Sequence, residues 1–368
     1  MADAATQRLQ LRVLLSLPSF LLRALAGGGV VWVGGRTLDP RLQFLAAQAR
    51  GAPPLANFTP EQARAGAAAQ LAPLAGRRET GVEVETLTVP GASGPIAARA
   101  YRPAEQDPAA PVMVFGHFGG GVIGDLDTCD AFCTILAKEA ACPVLSVDYR
   151  LAPEHRFPAG LDDMTAAFRF ARDNAERFGA APGRAAIGGD SMGGNFTAVI
   201  AQEMKRLGET PPVLQILIYP ALDVAGEGGS MSTYAEAWPL SRATMEWFMG
   251  HYMGPGDAPG DPRLSPVRAP DLAGLAPAVI ATAGFDPLLD QGETYARRLR
   301  EAGVAVTYRR YDALAHAFTA FTGVIPAADA ACREIAHLVR EAWRAPLTHP
   351  TPPSITHPTP SSPGVSPG

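Results

Sequence analysis

Six short runs rich in apolar residues recur along the chain with helix-length segments between them: VMVF from Val112, VLSVDY from Val144, AAIGG from Ala185, VLQILIY from Val213, AVIATAG from Ala278 and VAVTYRRY from Val304. A strand buried on both faces loses the alternation of a half-exposed strand, and strands alternating with helices imply parallel neighbours. The chain is therefore read as α/β with a mostly parallel sheet. Ahead of these runs, VEVETLTVP and PIAARAYRP alternate in polarity and are bounded by Gly91, Gly94 and Pro103, which predicts an antiparallel opening pair. After Ser191, the residues Phe196, Val199, Ile200, Met204 and Leu207 recur three or four apart until Gly208, so one helix packs an apolar face on the sheet.

With 47% hydrophobic residues in 368, a large core is available and wholesale disorder is excluded. The net charge is −5, and Lys138 and Lys205 are the only lysines, with no basic run. Nucleic acid is not expected as a partner. Four cysteines (Cys129, Cys133, Cys142 and Cys332) form no C-x-x-C pair and are expected as reduced, buried thiols in a cytoplasmic protein. Cys129 and Cys133 would share a helix face, and no histidine lies near enough in sequence to suggest zinc.

Near the start, Val13 to Leu22 is apolar and follows Arg12, but Pro18 and Arg23 interrupt it. The run is about half the ~20 residues that a membrane span requires, so packing helices are expected and no integral span. Residues 345–368 are rich in Pro, Ser and Thr and carry the near repeat THPTPPS and THPTPSS, which predicts a disordered extension. Between Asp223 and Pro266 the alternation breaks, and Trp238, Met245, Trp247, Phe248, Tyr252 and Met253 mark an insertion.

The sharpest local signal is Gly189-Asp190-Ser191-Met192-Gly193, a G-x-S-x-G between a predicted strand and a predicted helix. A tight strand-to-helix turn needs small flanking residues and holds the serine Oγ clear of the sheet. The bare pattern also arises in ordinary Gly-rich turns. A second signal, His117-Phe118-Gly119-Gly120-Gly121, directly follows VMVF, where glycine amides can converge on a developing oxyanion. The same glycines compete as a dinucleotide fingerprint, Gly119-x-Gly121-x-x-Gly124, with Asp148 ending the next strand. Against an NAD site, Asp125 and Asp127 would face the pyrophosphate, and Asp148 is farther off than the usual ~20 residues.

A serine nucleophile needs a base. His337 falls in the last helix, His349 and His357 in the tail, His117 in the glycine loop, His251 in the insertion and His155 in a Pro-bounded turn. That leaves His316, after the last strand. Asp286 follows AVIATAG at a strand's C-terminal end, where function sits in open α/β sheets, whereas Asp290 falls inside the next helix as a dipole partner. The order Ser191, Asp286, His316 is that of α/β hydrolases. Other chemistries fail: Ile135 and Gln202 stand where an S-x-x-K motif needs serine, Ala137 and Met204 where a phosphate loop needs glycine, and no two histidines are four apart.

These residues sit in longer segments: HFGGGVIGDLDT from His117, DYRLAPEHRFPA from Asp148, GDSMGGN from Gly189, DPRLSPVRAPDL from Asp261, AGFDPLLDQGETYA from Ala283 and RRYDALAHAF from Arg309. By them the chain resembles bacterial members of the hormone-sensitive lipase family of esterases over roughly Gly81 to Trp343. The resemblance implies an α/β-hydrolase fold with an eight-stranded, mostly parallel sheet flanked by helices under a helical cap. It implies hydrolysis of short- to medium-chain carboxylic esters by Ser191, His316 and Asp286, with amides of Gly119, Gly120 and Met192 as the oxyanion hole and no cofactor or metal. Some relatives on this scaffold bind ligands without catalysis, having lost the histidine, whereas His316 is present here.

The expected organisation is 1–80 and 223–266 as the cap, 81–222 and 267–344 as the catalytic domain, and 345–368 as tail. The expected partners are a small apolar ester and water, since no Arg or Lys cluster marks a charged substrate. Monomer and homodimer are both open. The family usually reads HGGGF where this chain has HFGGG, so Phe118 replaces the first glycine, and strain is expected there if that position needs φ > 0. Met192 stands for a usual Ala, and Ala317 for a usual Gly after His316.

Overall fold

Five strands consist entirely of buried residues, because each lies between two neighbours and under helices on both faces. The computed structural model describes residues 4–345. In chain order its main sheet comprises β1 (Val82–Gly91), β2 (Gly94–Pro103), β3 (Val112–Gly116), β4 (Val144–Val147), β5 (Ala185–Asp190), β6 (Gln215–Ile218), β7 (Ala278–Phe285) and β8 (Val306–Ala315). Their spatial order is 1-2-4-3-5-6-7-8. The opening hairpin β1–β2 is antiparallel, β2 pairs antiparallel with β4, and every other pairing is parallel. This is the mostly parallel sheet that the alternating runs imply, with the eight strands that the family resemblance implies.

The helices are α1 (Ala4–Leu15), α2 (Ser19–Leu25), α3 (Pro40–Ala49), α4 (Pro60–Leu71), α5 (Asp130–Ala140), α6 (Ala159–Asp173), α7 (Met192–Leu207), α8 (Gly229–Thr233), α9 (Arg242–Tyr252), α10 (Leu289–Glu301) and α11 (Pro326–Arg344). The strand period of two divides the core between them. Met113 and Phe115 point into a cluster with Phe132 of α5 and Ile335 of α11. Val112 and Val114 point the other way, against Met164 and Phe168 of α6 and Phe196 and Ile200 of α7. The helix after Ser191 ends as its pattern requires, with Gly208 in the left-handed conformation at φ 67°.

Connectivity fixes where a site can form. After β3 the chain moves to β4 on one side, and after β5 it moves to β6 on the other. The loops leaving the carboxyl ends of β3 and β5 thus diverge and leave a crevice. Those loops carry His117–Gly121 and Ser191.

Several boundaries differ from the sequence expectation. The run from Val213 joins the ladder only at Gln215 and leaves it after Ile218, because Tyr219 turns away with φ 34°. The run from Val304 becomes a strand at Val306, and its pairing with β7 shifts between Tyr311 and Ala315, just before His316. Such irregularities re-aim the following side chain. Val13–Leu22 is split between α1 and α2 by the break at Pro18, and Leu15 and Leu22 are buried. No helix among the described residues is long and apolar enough to cross a membrane. The expected tail lies outside the described residues, apart from Ala345.

Candidate active site

Ser191 lies between β5 and α7 with φ 53° and ψ −109°, a strained conformation for a residue with a Cβ. Its amide donates to the Ile218 carbonyl at 2.9 Å, and its carbonyl starts α7 by accepting from Asn195 at 3.0 Å. The Asn195 side chain donates to the carbonyls of Ala221 (2.7 Å) and Leu264 (2.8 Å), tying the turn to the next two segments. Gly193 is required by space, since a Cβ there would strike the Gly116 carbonyl oxygen of β3. The turn is thus held against the neighbouring strand, with the serine at its tip.

His316 Nε2 is 3.0 Å from Ser191 Oγ, and His316 Nδ1 is 2.8 Å from Asp286 Oδ2. A carboxylate accepts, so Nδ1 carries the proton toward Asp286 and Nε2 faces the serine hydroxyl as acceptor. Asp286 is fully buried, and its other oxygen takes the Leu288 amide at 2.9 Å. Ser191 and His316 are 7% and 5% exposed, so the hydrogen-bonded chain is shielded from bulk water. Ala317, in place of the usual glycine, adopts φ 58° at a cost of about 1–2 kcal/mol.

The glycine loop carries its positive φ values on Gly119 (124°), Gly120 (64°) and Gly121 (73°), whereas Phe118 has no positive φ. The strain expected at Phe118 therefore does not arise: the unusual turn falls on the three glycines after it, and the phenyl ring is buried in the core. Neighbours keep these glycines bare. A Cβ at Gly119 would meet the Ile123 carbonyl, one at Gly120 the Phe248 ring, and one at Gly121 the Tyr252 ring. Helix α9 therefore lies directly on the loop. The amides of Gly119 and Gly120 have no acceptor among the described residues, and Met192 opens α7 with its amide unpaired, as first-turn amides are.

The dinucleotide fingerprint needs its glycines to open a helix, but here the chain continues through turns and α5 begins only at Asp130. His117 is fully buried; its Nδ1 donates to the Phe118 carbonyl at 2.7 Å, its ring stacks on Tyr149 at 4.3 Å, and burial holds its pKa below the ordinary value. It is a neutral brace for the loop. His251 stacks edge-on against Trp247, and His337 lies 3.9 Å from Glu139, both outside the serine's hydrogen-bonded chain.

One group missed in the sequence stands behind the serine. Asp190 is completely buried and accepts from Tyr219 Oη at 2.7 Å, Thr319 Oγ1 at 2.8 Å and Cys129 Sγ at 3.5 Å. The Tyr219 and Thr319 hydroxyl oxygens also lie against each other. Burial pushes the Asp190 carboxyl up to about 6, against the opposing pull of these donors. Its place inside the G-x-S-x-G was visible, but its partners lie 29, 129 and 61 residues away. Asp290, expected only as a helix-dipole partner, in fact accepts from the Ser230 amide at 2.7 Å and so anchors α8 to α10.

A family model described as an alpha/beta hydrolase fold matches residues 113–320, the span from β3 to just past His316. The chain is 43% identical over 318 residues to a carboxylic ester hydrolase, LipN, of Mycobacterium tuberculosis, covering 83% of this chain and 84% of that protein. The chain belongs to the hormone-sensitive lipase family of esterases. It is a carboxylic ester hydrolase. The esterase is also 40% identical over 266 residues to carboxylesterase NlhH of the same species, with 71% and 83% covered. An ethyl acetate hydrolase of Pseudomonas putida is 38% identical over 234 residues, with 63% and 74% covered. Among solved structures, the ester hydrolase EH1AB1 from the metagenome of Lake Arreo, complexed with a bipyridine phosphonate derivative, has a TM-score of 0.79 and 41% identity, covering 82% of this chain and 96% of that one.

Proposed function

We propose that the esterase works by acyl transfer through Ser191. His316 Nε2 takes the hydroxyl proton as Oγ attacks the ester carbonyl, and Asp286 stabilises the imidazolium that forms. The N–H groups of Gly119, Gly120 and Met192 stabilise the tetrahedral oxyanion. His316 then protonates the departing alcohol, water attacks the acyl-enzyme by the same route, and the acid leaves. The observation that carries this reading is the unbroken Ser191–His316–Asp286 hydrogen-bond chain, 3.0 and 2.8 Å, in a buried crevice.

The substrates proposed are short- to medium-chain, uncharged esters. Apolar rings of α9 on the glycine loop favour them, and the similarity to an ethyl acetate hydrolase points to short acyl groups. Residues 1–80 and 223–266 are proposed to act together as the cap, α9 supplying Phe248 and Tyr252. The reaction is proposed to need no cofactor or metal and no nucleic acid, with the enzyme active as monomer or homodimer. A cytoplasmic setting is in keeping with four free, buried cysteines.

A series of p-nitrophenyl esters from acetate to palmitate, with a fluorescent phosphonate as trap, tests the proposal. Peak kcat/KM on short chains and a phosphonyl adduct mapped to Ser191 are expected. Peak activity on palmitate would overturn the substrate class, and an unmodified Ser191 would overturn the nucleophile.

A further inference from the structure

Most large apolar side chains left open to solvent come from one short stretch. Leu9, Val13, Phe20, Leu21, Leu25, Val30, Val31 and Trp32 are exposed, Phe20 at 69% and Trp32 at 64%, whereas only Phe58 and Leu207 share that state elsewhere among the described residues. Leu9 and Val13 are one helical turn apart on α1, and Leu21 and Leu25 are likewise on α2. The inward side of the same segment is satisfied, with Leu15 and Leu22 in the core. Helix α3 holds it from beneath: Arg41 Nε donates to the Leu15 carbonyl (3.1 Å), Gln43 Nε2 to Gly29 (3.0 Å) and Arg50 to Ala26 (2.8 Å). The exposed apolar groups therefore belong to an outer layer.

The charge of this layer is one-sided. From residue 4 to residue 38 the chain carries Arg8, Arg12, Arg23 and Arg36 and no Asp or Glu, in a protein of net charge −5. None of these four arginines pairs with a carboxylate among the described residues; Arg8 donates to the Ala72 carbonyl and Arg36 to Tyr234 Oη. Burial, then the nearby guanidinium groups of Arg77 and Arg12, hold Arg8 below the ordinary arginine range. In a two-fold dimer built on this face, the same unpaired cations would meet their own copies. Residues 345–368 contain no Asp or Glu to complement them.

We propose that the outer face of residues 9–32 docks the esterase on an anionic lipid surface. Leu, Val and Phe side chains enter the acyl boundary, Trp32 sits at headgroup depth, and Arg12 and Arg23 face the phosphates. Docking is separate from the chemistry at Ser191 and brings the enzyme to the phase in which apolar esters concentrate.

Sedimentation of the full chain with vesicles of phosphatidylcholine containing about one-third phosphatidylglycerol, against phosphatidylcholine alone, reads the interaction. Binding should be at least about tenfold tighter on the anionic vesicles and fall with added salt. The variant Leu9→Gln/Val13→Gln/Phe20→Gln should lose about tenfold in binding, and Arg12→Gln/Arg23→Gln should lose the anionic preference. Both should keep the parent's urea-unfolding midpoint, which reports on folding. Brominated lipid should quench the parent's fluorescence, and Trp32→Phe should abolish that component. Equal binding by the apolar variant, no anionic preference, no quenching, or conversion of a dimer to a monomer by the apolar substitutions would each overturn the proposal.

Discussion

Tyr219 donates its hydroxyl to Asp190 Oδ2 across 2.7 Å, joining the ends of β6 and β5 immediately behind Ser191. Thr319, three residues after His316, donates to the same oxygen. The Tyr219 ring also packs on the His316 imidazole with centroids 4.8 Å apart. One buried carboxylate thus connects the strand that carries the serine with the loop that carries the histidine.

That carboxylate makes stability pH-dependent with a defined sign. Burial raises Asp190 from 3.8 to about 6, so the folded protein holds a proton that the unfolded chain releases. Its contribution is fully present below about pH 3.8 and is lost as pH rises through about 6, a change on the order of 3 kcal/mol. Asp190→Asn removes this dependence. Urea unfolding of parent and variant at about pH 4, 5, 6 and 7 should show the difference moving in the variant's favour as pH rises. A difference that does not change with pH contradicts the assignment.

Phe118→Gly restores the residue usual in the family but should not stabilise this chain. The position needs no positive φ, and the substitution empties a site in the core. A loss of about 3–5 kcal/mol by denaturant unfolding is expected. A neutral or stabilising result would mean that the ring is strained after all.

Gly119→Ala pushes a methyl group against the Ile123 carbonyl at a residue with φ 124°. The loop must shift, and its amides with it. If they hold the oxyanion, kcat should fall by roughly 10²–10³-fold with KM little changed, measured on p-nitrophenyl butyrate. A change confined to KM would assign the loop to substrate binding alone.

The four thiols should be silent in the native state. All are buried, and burial pushes Cys142 up to about 12 and the other three upward as well. Labelling with a chromogenic disulfide at neutral pH should proceed no faster than global unfolding. Rapid stoichiometric labelling of any one would contradict its placement.

The strand runs and the helix after Ser191 were legible in the sequence because burial on both faces and a 3.6-residue period leave direct marks. The serine turn, glycine loop and C-terminal strand ends were legible for the same reason, each being local. What the sequence did not reveal is long-range. Asp190 meets Thr319 only once β5 and the His316 loop have been folded together. Phe118 escapes strain because loop closure places the positive φ values on Gly119 to Gly121. Val13–Leu22 could be read as apolar, but which of its side chains face outward depends on how α3 packs beneath it.

The central claim is that Ser191 is the nucleophile. Its direct test is kcat/KM of Ser191→Ala on p-nitrophenyl butyrate, with unfolding measured alongside to establish that the fold is intact. A fall of roughly 10⁵-fold or more with an unchanged unfolding midpoint is predicted. Retention of activity within about 100-fold of the parent by a folded variant would contradict the account.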